Sequence, residues 1–132
     1  MRNLLLIAAA MASTLVAGAA WACSCIRFDS AADQFAQAEV MLVGRVLSTV
    51  ETSPQQAVTR FEVLRGLKGP HAGVVEIRHT VNDGGAACGV QFEIGQTTPV
   101  IAFESDGHLQ TNLCSMPQFP LQDFEALQGE LG

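Results

Sequence analysis

The middle of the chain alternates between apolar and polar residues, which is the pattern of β-strands with one buried face. In residues 58–64 this alternation puts Phe61 and Val63 on one face and charged residues on the other. Residues 74–80 repeat the pattern and place Ile77 on the apolar face. Both segments are therefore predicted to be strands of a sheet whose inner face is apolar.

Three further segments are predicted to be strands. Residues 40–50 are rich in β-branched and apolar side chains, and Gly44 inside this segment suggests a bulge or a sharp bend. Residues 99–104 and 108–113 flank the pair Asp106-Gly107, and Asp-Gly is a strong signal for a hairpin turn. The last two strands are therefore predicted to form a hairpin.

Turns and two short helices complete the predicted secondary structure. Proline and glycine predict turns over residues 51–56 and 65–70. Ser30 is a suitable cap for a helix over residues 31–38, and residues 120–127 begin with proline, as many helices do. About five short strands separated by turns indicate an all-β protein of the barrel or sandwich class.

The first residues of the chain have the three parts of a signal peptide. Arg2 supplies a positive charge, residues 4–16 are uncharged and largely apolar, and Ala20-Trp21-Ala22 offers small residues where signal peptidase reads them. The apolar run is shorter than the about 20 residues that a membrane span needs. We therefore expect residues 1–22 to be removed on export, leaving residues 23–132 as one secreted or periplasmic domain.

Cys23 directly after the predicted cleavage site leaves a lipoprotein open as an alternative. In lipoproteins the cysteine after the cleavage site carries acyl chains. Their signal usually has leucine three residues before that cysteine, whereas this chain has Ala20 there, followed by the bulky Trp21. We therefore expect membrane attachment only if Cys23 is lipidated.

Acidic residues outnumber basic residues in the predicted mature chain. The whole sequence has 7 basic and 13 acidic residues, and the predicted signal peptide removes only Arg2, so the mature part carries a formal charge of −7. Binding to nucleic acid or to heparin-like polyanions requires clustered lysine and arginine. The composition therefore argues against a nucleic-acid partner.

All four cysteines, at positions 23, 25, 88 and 114, lie in the predicted mature chain. Export and an even count favour disulfides over free thiols. A bridge between Cys23 and Cys25 would close a strained ring across one intervening residue, and we set it aside. Two long-range pairings remain, and spacing alone does not choose between them.

The segment Cys23-Ser24-Cys25 also permits a metal-binding alternative. Two thiolates separated by one residue can bind a soft ion such as Cu(I). This alternative requires reduced thiols, and it leaves Cys88 and Cys114 unexplained unless they pair with each other. The disulfide hypothesis accounts for every cysteine and is therefore favoured.

No group of residues in the sequence has the spacing of a catalytic site. His71, His79 and His108 each lie beside a turn or near a strand end, and we expect exposed or strand-end histidines rather than ligands. Residues 82–85 are glycine-rich, but no helix and no lysine follow them as a phosphate-binding loop requires. We therefore expect neither an enzyme nor a bound cofactor.

Taken together, these motifs resemble the tissue inhibitors of metalloproteinases (TIMPs), which belong to the wider netrin-type module. The predicted mature chain starts with a C-x-C segment, as those inhibitors do, followed by a short helix and a strand ending in Gly44-Arg45-Val46. Three later motifs match in order and approximate spacing: residues 63–69 (VLRGLKG), 88–89 (CG) and 106–115 (DGHLQTNLCS). The resemblance covers approximately residues 23–120.

The resemblance implies a five-stranded Greek-key barrel of the oligonucleotide/oligosaccharide-binding (OB) type, with flanking helices. It also implies the disulfide pairs Cys23–Cys88 and Cys25–Cys114. In the family, the α-amine and the carbonyl oxygen of the first residue chelate the catalytic zinc of a protease, and the next residue enters the adjacent substrate pocket. In this chain those roles would fall to Cys23 and Ser24, within a binding segment that ends at Cys25.

The leading hypothesis is therefore a secreted or periplasmic, non-enzymatic inhibitor whose partner is a zinc metalloprotease. Many netrin-type modules inhibit nothing and serve as attachment domains. A non-inhibitory protein-binding module of the cell envelope is accordingly the main alternative, and a Cu(I)-binding C-x-C protein is the further one.

Overall fold

The structure, a computed structural model, describes residues 23–81 and 88–131 of the chain. The predicted signal peptide (residues 1–22) and the glycine-rich residues 82–85 lie outside the described residues. In chain order the elements are α1 (Ala31–Gln37), β1 (Val40–Ser53), β2 (Gln56–Lys68), β3 (Val74–Thr80), β4 (Thr97–Ser105), β5 (His108–Thr111), a 3-10 helix (Leu113–Ser115) and α2 (Leu121–Leu131).

The five strands form one closed barrel in the order β1-β2-β3-β5-β4, and β4 pairs back with β1. Neighbouring strands are antiparallel except β3 and β5, which are parallel from Ile77 opposite Leu109 to His79 opposite Thr111. The chain therefore crosses one end of the barrel between β3 and β4 before β5 inserts beside β3. This arrangement confirms the all-β class and the OB-like Greek-key barrel with two short flanking helices.

Two apolar clusters explain why β1 is buried on both faces where it begins. The barrel interior holds one set of alternating side chains, which includes Leu42, Val46, Phe61, Ile77 and Val100. The second cluster packs the outside of β1 and β4 against the two helices and includes Phe35, Met41, Leu67, Ile101 and Phe124. Successive residues of β1 therefore point alternately into the two clusters, and the helices cover one side of the barrel.

Specific contacts fix the ends of α1. The Ser30 hydroxyl accepts a hydrogen bond from the Asp33 N–H at 3.2 Å, which confirms the predicted N-cap. At the other end, Lys68 Nζ donates at 2.8 Å to the Phe35 carbonyl, which also accepts from the Ala38 N–H at 3.2 Å. The cation of Lys68 also lies 5.1 Å from the centre of the Phe35 ring. A residue of β2 thus anchors α1 to the barrel.

Gly44 lies at a β-bulge, as its place inside the predicted strand suggests. The pairing of β1 with β2 shifts register between Val43 and Gly44. A Cβ atom at this position would lie 3.0 Å from Leu42 Cδ1 and 3.1 Å from Phe61 Cβ. A larger residue at the point where the strand bends would therefore require the Leu42 or Phe61 side chain to shift by a few tenths of an ångström.

The hairpin formed by β1 and β2 is longer than the sequence predicts. The predicted turn over residues 51–56 shrinks to the two residues between the strands, because both strands extend into it. The predicted turn over residues 65–70 was wrong for residues 65–68, which continue β2 and pair with β1. Leu67 is buried in the cluster under the helices and Lys68 holds α1, so tertiary contacts override the turn-like composition.

The hairpin between β4 and β5 turns at Asp106-Gly107, as predicted. Both residues have positive φ, 53° and 78°, which is the conformation that a two-residue type I′ turn requires. β5 ends at Thr111, two residues earlier than predicted, because Leu113 starts the 3-10 helix. This early end places Cys114 in a tight turn of helix rather than in a strand.

His79 lies inside the barrel, next to the last residue of β3, and is therefore one of the strand-end histidines that the sequence predicts rather than an exposed one. It is 3% exposed, because strand alternation puts it on the same face of β3 as Ile77. Its Nδ1 lies 3.2 Å from the Thr80 carbonyl oxygen, which can only accept, so Nδ1 carries the proton. Nε2 therefore accepts from the Thr59 hydroxyl at 2.6 Å, and the Thr59 oxygen accepts from Thr49 at 2.8 Å.

Burial lowers the pKa of His79 below its ordinary value of 6.5, and backbone hydrogen bonds at Thr80 and Val90 offset this effect only in part. The unfolded chain takes up a proton on this ring near pH 6.5, whereas the folded barrel takes it up only at lower pH. Acid therefore favours the unfolded state.

We expect the free energy of unfolding to decrease between about pH 7.5 and about pH 5.5, because His79 binds a proton more readily after unfolding. The His79→Gln protein is expected to have a shallower pH dependence, although it is less stable at neutral pH. Urea unfolding at both pH values measures the slope, and His108→Gln, which changes an exposed histidine, serves as the control. An unchanged slope in His79→Gln would contradict this role.

Candidate functional site

The N-terminal segment of the described chain is fastened to the barrel by two disulfides. Cys23 is bonded to Cys88 and Cys25 to Cys114, which is the pairing that the family resemblance implies. The Cα atoms of the two pairs are 5.3 and 5.0 Å apart, within the usual range for disulfides. In the chain-entropy account, sequence separations of 65 and 89 residues are each worth about 4 to 5 kcal/mol.

Both anchoring cysteines lie beyond the same end of the barrel. Cys88 comes after β3 and Cys114 comes after β5, and these two strands are parallel. The Leu113 N–H donates to the Cys88 carbonyl at 2.9 Å and joins the two anchoring segments directly. Cys88 has a φ of 53°, a left-handed conformation that is uncommon outside glycine and that its bond to Cys23 helps to hold.

Two glutamines hold the N-terminal segment without covalent bonds. Gln118 Oε1 accepts from the Phe28 N–H at 3.0 Å, and its Nε2 donates to the Ile26 carbonyl at 2.8 Å. The Gln118 N–H donates to Gln34 Oε1 at 2.9 Å, and Gln34 Nε2 donates to the Met116 carbonyl at 3.0 Å. Gln34 is 3% exposed, so its hydrogen bonds are shielded from water. These contacts link α1, the N-terminal segment and the chain after β5.

The two disulfides pack against each other and form what we call the disulfide cluster. Cys23 Sγ lies 3.5 Å from Cys114 Sγ and 3.9 Å from Cys25 Sγ. Because oxidised sulfur carries no proton, these are van der Waals contacts rather than hydrogen bonds. Each of the four cysteines is half-buried. The cluster therefore gives the short segment between Cys23 and Cys25 a rigid base.

The surface beside the disulfide cluster combines exposed apolar side chains with one positive charge. Ser24 is exposed, and Ile26 and Leu113 are 80% and 46% exposed. A groove of about 390 Å³ along this surface is lined by Cys25, Arg27, Leu113, Cys114, Met116, Pro117 and Gln118. The N-terminal segment and the chain after β5 therefore both line this groove.

The predicted binding residues Cys23, Ser24 and Cys25 are consecutive at the start of the described chain, with Ser24 exposed and both cysteines half-buried. All four cysteines are in disulfides, so the oxidised protein does not offer the thiolates that the Cu(I) alternative needs. Gln34 and Gln118 were missed by sequence reasoning. Both bond to backbone groups far along the chain, and such contacts leave no local pattern in the sequence.

The disulfides indicate an oxidising compartment, such as the periplasm or the extracellular space. Within residues 23–81 and 88–131, no helix combines the length and the apolar character needed to cross a membrane.

No protein-family model matches this chain, and no curated protein matches it either. The likeness to the tissue inhibitors of metalloproteinases therefore stays a resemblance of motifs. The evidence for the barrel and for the two disulfide pairs comes from the structure alone.

We expect Gln34→Ala to lower the free energy of unfolding by about 1–3 kcal/mol, because it removes two hydrogen bonds and each contributes about 0.5–1.5 kcal/mol net. The bonds concerned join the Gln34 side chain to the Gln118 N–H and to the Met116 carbonyl. Gln37→Ala, an exposed position on the same helix, is the matched control and is expected to change stability by less than about 0.5 kcal/mol. Urea unfolding of the oxidised proteins measures both, and equal effects would contradict the role of Gln34.

Proposed function

We propose that the protein is a secreted or periplasmic inhibitor of zinc metalloproteases that acts through Cys23 once residues 1–22 have been removed. The observation that carries the proposal is the geometry of the segment Cys23–Cys25. It is exposed at Ser24, covalently anchored at both ends, and bordered by apolar surface.

The chemistry of the first residue favours zinc as the target. A catalytic zinc keeps one coordination position for water, and a chelating amine and carbonyl oxygen can take that position. An α-amine has an ordinary pKa near 8, so losing its proton at pH 7 costs only about 1 kcal/mol. The side chain of a lysine would need about 4 to 5 kcal/mol for the same step. A chain terminus is therefore the better neutral nitrogen ligand.

Because the segment Cys23–Cys25 is anchored, binding a partner costs it less conformational entropy. Cys23 and Cys25 are each bonded to the barrel, and Gln118 holds the backbone at Ile26 and Phe28. A segment that is already ordered loses little conformational entropy when a partner binds. Ser24, between the two anchors, is small and exposed and would face the pocket beside the zinc.

The mechanism requires that Cys23 be the true first residue. One additional residue, or an acyl group, would convert its amine into an amide and remove the nitrogen ligand. Cleavage after Ala22 is therefore part of the proposed mechanism and not only a step of export.

Inhibition assays with the exported, oxidised protein test the proposal. We expect stoichiometric inhibition of at least one zinc metalloprotease in a panel and no inhibition of a serine protease, because the latter has no zinc to chelate. Absence of inhibition across the panel would instead favour the non-inhibitory netrin-type module of the cell envelope.

We expect one alanine added before Cys23 to abolish inhibition while leaving the barrel intact. The matched control is one alanine inserted between His71 and Ala72, an exposed loop that precedes β3 and so lies at the opposite end of the barrel from Cys88. Circular dichroism checks folding, and protease assays compare the two insertions. Unchanged inhibition by the N-terminal insertion would rule out chelation by the amine.

A further inference from the structure

A polar groove of about 350 Å³, called here the β3–β5 groove, is lined by residues of β3, β5 and β4, which are neighbours in the barrel. The strand register places Arg78 of β3 beside Gln110 of β5, and Gln110 beside Phe103 of β4. Ile77 and His79 are buried in the barrel, so Arg78 between them points outward. A cation, an amide and an aromatic ring therefore lie in one row, which is about 10 Å long at the usual spacing of strands.

Arg78 gives the β3–β5 groove a positive charge that no described carboxylate neutralises. Within residues 23–81 and 88–131, three other arginines each form an ion pair with a glutamate: Arg45, Arg60 and Arg65. Arg78 forms none with these residues, and neither Asp nor Glu is among the described residues that line the groove. A guanidinium binds a carboxylate through two parallel hydrogen bonds. The charge of the groove therefore favours a ligand with a carboxylate.

Side-chain amides in the β3–β5 groove keep hydrogen-bonding groups available for a ligand. Asn112 Oδ1 accepts from the Ser115 N–H at 3.0 Å and from the Ser115 hydroxyl at 3.2 Å, which leaves the Asn112 amide nitrogen as a donor. Gln56 Nε2 donates to the Thr80 hydroxyl at 3.3 Å, which leaves the Gln56 amide oxygen as an acceptor. Gln110 is exposed, and its amide can both donate and accept. Donors beside acceptors match the hydroxyl groups of a ligand, because each hydroxyl also does both.

We propose that the β3–β5 groove binds a small sugar acid. The carboxylate of the ligand pairs with Arg78, and its hydroxyls form hydrogen bonds with the amides of Gln56, Gln110 and Asn112. The C–H groups of the sugar ring pack on Phe103, whose side chain is only partly buried by the protein. The volume of the groove lies within the range of small-molecule sites, which is about 300–1,000 Å³.

Charge limits the ligand to a single carboxylate. Arg78 is the one arginine or lysine among the described residues that line the groove, and the predicted mature chain carries a formal charge of −7. The excess of acidic residues repels a polyanion, whereas one carboxylate needs only one guanidinium. The inference does not rest on the proposed function, which uses Cys23 and Ser24.

Calorimetric titration of the oxidised mature protein with glucuronate tests the proposal. Glucose has similar hydroxyls without the carboxylate, and acetate has the carboxylate without the hydroxyls. We expect one saturable site per chain for glucuronate and at least about tenfold weaker binding of glucose, because hydrogen bonds to a charged group are the stronger ones. Acetate is also expected to bind more weakly, because it leaves the amides without a partner. No saturable binding of glucuronate, or equal affinity for glucose or for acetate, would overturn the proposal.

Two variants with the same change of net charge test the role of Arg78. We expect Arg78→Gln to lose about tenfold or more in affinity for glucuronate. Arg45→Gln is the matched control and is expected to bind glucuronate like the wild type, because Arg45 lies on β1, pairs with Glu62 and does not line the groove. Both arginines are exposed, and circular dichroism checks that both variants fold. Full affinity in Arg78→Gln, or an equal loss in Arg45→Gln, would overturn the assignment.

Discussion

The parallel pairing of β3 with β5 is the constraint on which the site depends. Because these strands run in the same direction, the chain leaves both of them at one end of the barrel, towards Cys88 and Cys114. The hydrogen bond from Leu113 to the Cys88 carbonyl then holds the two anchors together. The N-terminal segment is bonded to both anchors and is therefore held at this end of the barrel.

Local sequence patterns predicted most of the strands and helices. Contacts between residues far apart in the chain determined the features that these patterns did not predict. Alternation of apolar and polar residues identified the strands around Phe61 and Ile77. Asp106 and Gly107 both have positive φ, as the predicted Asp-Gly turn requires. The turn expected at residues 65–68 failed because burial of Leu67 outweighs turn propensity. For the site, the C-x-C segment was visible in the sequence, whereas Gln118 was not, because its partners lie about ninety residues away.

The sulfurs of Cys23 and Cys25 are occupied in disulfides, so this segment offers a partner its backbone and the exposed Ser24 side chain rather than thiolates. An oxidising compartment favours this state, which is why we place the proposed function there.

The account requires a free α-amine on Cys23, and an intact mass with N-terminal sequencing of the protein exported from its native cell tests this most directly. The account predicts a chain that starts at Cys23, carries no acyl group, and is four hydrogens lighter than its reduced form because of the two disulfides. A chain that starts elsewhere, carries a lipid on Cys23 or has reduced cysteines would contradict zinc chelation by its terminus.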